Sequence, residues 1–317
     1  MKNSMQSVRV HAPGGPQQLV IDTIPRPQPG DREVLIRVHA AGVNPLDWKT
    51  RQGTGPMRPA HYPYTPGTDF AGTIAEVGSA VRTFRTGQAV YGQSPSHQGA
   101  YAQYVVTPPD SLALKPVNID FAEAASVPAG ALTAWQALFD HGNLQAGQRV
   151  LIHAAAGGVG LFAVQLAKRA GAFVFGTASA ANESFLRELG VDVVIDYEST
   201  PFEQVAHDVD LVVDPVGGDT LDRSWQAVKP AGRLVILGSA PTDNNALQDG
   251  ADAIKMVMRP SGEQLSLISD LIETGQIKPG VARRLRLSEA SLAHRLGERG
   301  HGRGRIVLEI ARPGTTT

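Results

Sequence analysis

Two patterns of apolar residues follow one another along this chain. Through residues 1–125, apolar positions come in short β-type runs, "EVLIRVHA", "FAGTIAEVG", "AVYG" and "YAQYVVT", broken by proline and glycine. Strands of that length, punctuated by turn residues, predict a compact β-barrel or sandwich. Through residues 126–270 the runs become nearly continuous and alternate with helix-length segments: "RVLIHA", "AFVFGTA", "VDVVIDY", "VDLVVDPV" and "GRLVILG". Runs of this kind predict a parallel sheet buried on both faces by helices. Residues 271–317 return to a β-type ending, "GRGRIVLEIA", which is expected to fold back onto the first region. The fold class is therefore α/β, in two domains.

Composition narrows the functions. The 317 residues carry a net charge of −1 with 42% hydrophobic residues, so a sizeable core is available and no basic footprint for nucleic acid or an anionic membrane exists. There is no cysteine, which removes disulfides and thiolate metal ligands. No apolar run is long enough to span a bilayer, and "MKNSMQSVRV" lacks the apolar core of a signal peptide. A cytoplasmic protein is expected. No internal repeat is visible, and Gly-x-Ser-x-Gly is absent, so hydrolase chemistry has no support.

The segment 150–171, "VLIHAAAGGVGLFAVQLAKRAG", reads as strand, glycine turn and helix. Ala155, Gly157 and Gly160 stand where a dinucleotide fingerprint has its three glycines. These make the turn, admit the pyrophosphate and let helix pack on strand. Val159, Ala163, Leu166 and Ala167 form one helical stripe. Amides of Ala156, Gly157, Gly158 and Val159 are placed to meet an anion at the helix N-terminus. An NAD site expects an acid at the end of the second strand, but Gly176–Asn182 has none. Thr177 and Ser179 offer hydroxyls instead, which favours NADP.

Several further segments carry a resemblance: "AGVNPLDWKTRQG" (41–53), "PGTDFAGTIAEVG" (66–78), "GAYAQYVV" (99–106), "SVPAGALTAWQAL" (126–138), "HAAAGGVG" (153–160) and "GHGRGRIVLEI" (300–310). Together they resemble the zinc-independent medium-chain dehydrogenase/reductases of the quinone oxidoreductase, or zeta-crystallin-like, type. The resemblance implies a GroES-like barrel (1–125, completed by 271–317), a Rossmann domain (126–270), an active site where the two meet, and a homodimer. The apolar segment "GRLVILGS" would otherwise leave an exposed sheet edge for that dimer to cover.

The resemblance also implies roles. Zinc-dependent members use cysteine and histidine where this chain has Asn44 and Thr68, neither a good zinc ligand. His11, His39, His61, His97 and His141 form no i, i+4 pair with a carboxylate. Metal ligation is therefore expected nowhere. Asn44 is placed by the substrate carbonyl, and Lys49 or Asn44 can donate to an oxygen that gains charge as hydride arrives. Asp47 caps a helical turn after Pro45, and Asp69 holds its loop through hydrogen bonds. Thr133 lies by the nicotinamide, Tyr197 near the 2′-phosphate, and Val216, Gly217, Leu237, Gly238 and Ser239 along the nicotinamide and ribose. Glu183 stands where many relatives have a phosphate-binding lysine, so Arg303 or Arg305 is expected to substitute. The reading is an NADPH-dependent reductase of a small quinone or α,β-unsaturated carbonyl. A 2-enoyl thioester reductase and a non-catalytic NADPH-binding protein are the alternatives.

Overall fold

The computed structural model describes residues 4–55, 59–95, 98–238, 251–300 and 302–310. It divides into two compact units: Met1–Ala129 with Pro260–Gly275 and Pro279–Thr317, and Gly130–Arg259 with Gln276–Lys278.

The first unit opens with an antiparallel hairpin, β1 (Ser4–Val10) and β2 (Leu19–Pro25). Then come β3 (Val34–Val43), α1 (Pro45–Gln52), β4 (Asp69–Val77), β5 (Ala89–Gln93), β6 (Tyr104–Thr107), β7 (Leu112–Leu114) and α2 (Phe121–Ala125). The β-type runs of the sequence form β3 to β6. The hairpin and β7 are additional to them.

The second unit holds most of α3 (Pro128–Trp135), then β8 (Arg149–Ile152), α4 (Gly160–Arg169), β9 (Phe173–Ala178), α5 (Glu183–Glu188), β10 (Val193–Asp196), β11 (Val209–Asp214), α6 (Asp219–Ser224), β12 (Val228–Ile236) and β13 (Asp252–Lys255). Its six strands are all parallel, in the order β10-β9-β8-β11-β12-β13. Strand order reverses between β8 and β11, which is where an open parallel sheet holds its ligand, beyond the strand C-termini. One expectation needs correction. "GRLVILGS" is no sheet edge, because β13 pairs outside β12 and takes the edge position. A four-residue strand of sequence "DAIK", following residues outside the described set, gave no such signal in the sequence.

The chain then rejoins the first unit through α7 (Gly262–Glu273), β14 (Val281–Arg286), α8 (Ala290–Glu298) and β15 (Arg305–Glu309). The Tyr91 hydroxyl donates to the Leu265 carbonyl at 2.7 Å and so fastens α7 to β5. The seven-stranded sheet runs β14-β15-β3-β4-β5-β7, with β6 also on β3. Val34, Ile36, Val38, Phe70, Ile74, Val90 and Leu308 fill its core. The second unit's core is a separate cluster around Leu151, Phe175, Val212, Leu221 and Leu234. Among the described residues, no helix is long and apolar enough to cross a membrane.

Candidate functional site

In the first unit, the end of β3 leads directly into α1 through Asn44. Pro45 suits the first helical position, where a missing N–H costs nothing, and Asp47 reaches back so that the Asn44 amide donates to its Oδ2 at 2.8 Å. Asp47 thus caps the helix as expected. Its Oδ2 also accepts the Tyr101 hydroxyl at 2.9 Å. Tyr101 can approach only because position 67 is glycine: its φ is +90°, and a Cβ there would lie 2.2 Å from the tyrosine ring.

Behind Tyr101 stands a chain of buried polar groups. His294 Nε2 lies 3.3 Å from the Tyr101 oxygen, and His294 Nδ1 lies 3.2 Å from Arg51 Nη1. A guanidinium only donates, so Nδ1 accepts and Nε2 carries the hydrogen. Arg51, wholly buried, also donates to the Gly14 carbonyl at 3.0 Å and pairs with Glu298. From Arg51 through His294 to Tyr101, one donor of each therefore points along a line toward Asp47. Burial still raises the Asp47 carboxyl to about 7, against the lowering effect of the Asn44 amide and Tyr101 hydroxyl. Burial holds His294 down at about 3, with Arg51 adding to the effect.

Asp69 holds its surroundings together, also as expected. Its Oδ1 accepts from Gln93 Nε2 at 2.9 Å and from the Thr68 hydroxyl at 3.4 Å, and its Oδ2 accepts from the Ala129 amide at 3.0 Å. Asn44 Nδ2 donates to Thr68 Oγ1 at 3.5 Å. Asn44 and Gln93 are 4% and 3% exposed, yet Asn44 Oδ1 and Gln93 Oε1 have no partner. Lys49 is exposed on α1. Arg303 is exposed as well, but Arg305 corrects the expectation made for it. It is buried at the Asn44 end of the barrel sheet, with Asp69, Asp47 and Tyr101 as its charged or ionisable neighbours, and is no surface cation waiting for a cofactor phosphate.

The second unit gathers its predicted residues at the strand C-termini. β8 ends at His153, whose Nδ1 lies 3.1 Å from Thr177 Oγ1 and Nε2 3.0 Å from Ser224 Oγ. Burial, with Arg223 nearby, keeps this ring neutral, its pKa lowered to about 3. The Ala154 amide also donates to Thr177 Oγ1, at 3.2 Å. Thr177 is thus corrected too: its hydroxyl is buried and spent on the turn, not offered to a phosphate. The left-handed residue of the turn is Ala154, φ +47°, one position before the expected first glycine.

The turn fits a dinucleotide. A Cβ at Gly160 would lie 2.3 Å from the Ala154 carbonyl oxygen, so glycine is required for the helix to start so close to the strand. Among the described residues, no bond within the chain engages the amides of Gly158 and Val159, which precede the ten-residue α4. Free amides at a helix N-terminus suit a pyrophosphate. Ala156, Gly157, Gly158 and Val159 lie together there.

The remaining predicted residues occupy the neighbouring loops. The Tyr197 amide donates to the Ala178 carbonyl at 3.2 Å, which places Tyr197, 47% exposed, at the ends of β9 and β10 near Ser179. Asp214 Oδ1 accepts from the Val216 and Gly217 amides, and its carbonyl accepts from the Leu237 amide. This draws Val216, Gly217, Leu237 and Gly238 into one group. Ser239 lies outside the described residues. Thr133 is half-buried on α3. Glu183 is paired with Arg187 at 2.7 Å on α5, so its charge is already balanced. Among the described residues, no group of three His, Cys, Asp or Glu side chains could hold a metal ion.

Gln93, Tyr101, His294 and Arg51 carried no local motif and were missed from the sequence. Their partners lie 24, 54, 193 and 243 residues away.

Comparison with known proteins agrees with both units. Residues 30–117 match the alcohol dehydrogenase GroES-like domain, and residues 189–308 match a family described as zinc-binding dehydrogenase. The NADPH-dependent alkenal/one oxidoreductase of Arabidopsis thaliana chloroplasts is 33% identical, over 89% of this chain and 73% of that protein. The quinone oxidoreductase of Sus scrofa is 31% identical, over 92% and 93% respectively. The solved structure of the Coxiella burnetii quinone oxidoreductase superposes with a TM-score of 0.89 at 35% identity, covering 97% of this chain and all of that one.

Proposed function

This chain belongs to the zinc-independent medium-chain dehydrogenase/reductases of the quinone oxidoreductase type, and we propose that it reduces a quinone or an α,β-unsaturated carbonyl with NADPH. The observation that carries this reading is the makeup of the first unit's site. Where zinc-dependent relatives place thiolate and imidazole, this chain has the amide of Asn44 and the hydroxyl of Thr68. A saturated aldehyde or ketone concentrates the incoming charge on its own oxygen and needs a Lewis acid or a strong proton donor there. A conjugated acceptor spreads the incoming charge to a distant oxygen and needs only a hydrogen-bond donor there.

NADPH, when bound, supplies the hydride. The free amides before α4 hold its pyrophosphate. Ser179 and Tyr197 take the adenosine side, while Thr133, Val216, Gly217, Leu237 and Gly238 position the nicotinamide and ribose. Asn44 orients the acceptor in the first unit. Asp47 and Tyr101 hold Asn44 at the start of α1, so they serve as positioning residues.

The test is NADPH absorbance with 1,4-benzoquinone, 9,10-phenanthrenequinone, a short 2-alkenal and crotonyl thioester, and NADP with ethanol. Turnover with quinones or alkenals is expected. Ethanol oxidation, or silence with every acceptor, contradicts the reading.

A further inference from the structure

Arg305 is the one residue of the first unit's site whose chemistry remains unused. It opens β15, which runs antiparallel to β3 with Ile306 opposite Val43. Arg305 and Asn44 are the residues immediately beyond the last pair of that ladder, so both lie at the same end of the sheet. The residue is 5% exposed, its Nε has no partner, and among the described residues no ion pair or side-chain hydrogen bond holds the guanidinium. Asp69 and Asp47 act on it only as nearby charges. Burying a permanent cation without a hydrogen-bonded partner is costly, and folds retain such a group chiefly where something else completes it.

The same end of the sheet holds two more incomplete groups, Asn44 Oδ1 and Gln93 Oε1. Gln93 cannot be satisfied by turning its amide over, because Nε2 is committed to the Asp69 carboxylate at 2.9 Å. One buried cationic donor and two buried acceptors at one end of the sheet are the groups that an oxygen which is first an anion and then a hydroxyl requires.

We propose that Arg305 is a catalytic residue that receives the oxyanion of the reduced acceptor, and that Asn44 and Gln93 accept the hydroxyl formed when this oxygen is protonated. The proposal rests on the reductase reading given above. Hydride from NADPH forms a C–H bond at the β-carbon of the acceptor. The C=C π pair shifts to the C–O side, and the carbonyl oxygen takes the charge. Arg305 N–H donates to that oxygen and stays protonated, and water supplies the proton that completes the product. A quinone takes the hydride at one carbonyl oxygen, forming an O–H bond; its π pairs shift through the ring, which becomes aromatic, and the second carbonyl oxygen is left as the phenolate. The desolvated guanidinium acts at low dielectric, where a donor is worth far more than the hydrated, exposed Lys49.

The test uses a mimic of the anion as well as turnover. 4-Nitrophenol absorbs differently as phenolate, so its ionisation on the enzyme is read directly. With wild type, bound 4-nitrophenol should ionise about one pH unit below the free phenol. Arg305→Met should abolish that shift, and Arg305→Lys should keep part of it. Turnover with 9,10-phenanthrenequinone should fall about 100-fold in Arg305→Met, with NADPH affinity unchanged by fluorescence titration. Gln93→Leu should lower turnover less. Wild-type titration at the free-phenol pH overturns the proposal, as does a folded Arg305→Met variant that turns over like wild type. If Arg305→Met fails to fold, the wild-type titration and Arg305→Lys decide. An Arg305-dependent shift in a protein that reduces no acceptor would keep the anion site and remove the reductase reading.

Discussion

Just past the end of β8, His153 has both ring nitrogens engaged, by Thr177 and Ser224, and the turn that follows is held by the Thr177 hydroxyl and by its own Ala154 carbonyl. At the end of β3, three buried atoms, Asn44 Oδ1, Gln93 Oε1 and Arg305 Nε, have no hydrogen-bond partner among the described residues. The two ends belong to different units, and each buries polar side chains. The second unit spends the side chains of His153 and Thr177 on holding a backbone turn, and at that turn leaves main-chain amides open. One carboxylate oxygen, Asp214 Oδ2, is also unpartnered among the described residues, at the end of β11. Phosphate recognition needs no more than the open amides. The first unit spends Tyr101, His294 and Arg51 on holding Asp47 and the start of α1, and keeps side chains open. A site that must follow charge through a reaction needs such groups fixed and ready beforehand. On the proposed function, the contrast separates cofactor binding, carried by backbone, from acceptor chemistry, carried by side chains.

The largest expected effect breaks the backbone side of this comparison. Gly160→Val puts branched carbon where even a Cβ lies 2.3 Å from the Ala154 oxygen, so α4 must move off β8. A loss of about 3 kcal/mol or more in denaturant unfolding is expected, with NADPH binding gone. Binding that survives would show that the turn is not the pyrophosphate site.

Acid should next expose the two buried histidines, one in each unit. The folded pKa of both His153 and His294 is depressed from 6.5 to about 3, so their stability contribution is present above 6.5 and is lost as pH falls toward 3. By pH 4.5 each loses on the order of a few kcal/mol by linkage. Asp47 has the opposite sign: its folded pKa is raised from 3.8 to about 7, so stability is highest below 3.8 and falls as pH rises through 7. The two effects partly cancel. Asp47→Asn should therefore steepen the acid loss between pH 7 and 4.5, and an unchanged slope by urea unfolding would remove Asp47 from the account.

Tyr101→Phe sharpens the side-chain half. It leaves the His294 Nε2 hydrogen and one Asp47 lone pair unmet, at a cost of about 1 to 3 kcal/mol by chemical denaturation. Turnover should drop while NADPH affinity holds, since Tyr101 lies in the unit that carries Asn44. The smallest effect belongs to the turn again. Ala154→Gly relieves a left-handed alanine, φ +47°, and should stabilise by about 0.5 kcal/mol, net of the entropy that glycine loses on folding. A fall in melting temperature would mean that Ala154 is unstrained.

The same contrast governs how much the sequence disclosed. The glycine turn, its strand and its helix occupy 22 consecutive residues, so period and spacing reveal them. The α1 cap was legible for the same reason, since Asn44 and Asp47 are three residues apart. Thr177 was misread because a hydroxyl beside a strand end looks the same whether it faces a ligand or a backbone amide. Arg305 was misread because adjacency in "GRGR" suggests a shared surface role, whereas β15 begins only at Arg305 and Gly304, at φ +69°, turns the chain between the two arginines. The Arg51–His294–Tyr101–Asp47 line has no local trace at all, because tertiary pairing of β15 and α8 with the barrel creates it.

The account turns on conjugate reduction without a metal. It is tested most directly by reducing 2-cyclohexenone with NADPH that carries transferable deuterium at C4, and locating the label by NMR. The account predicts cyclohexanone with deuterium on the carbon β to the carbonyl. Deuterium on the carbinol carbon of 2-cyclohexenol would contradict it.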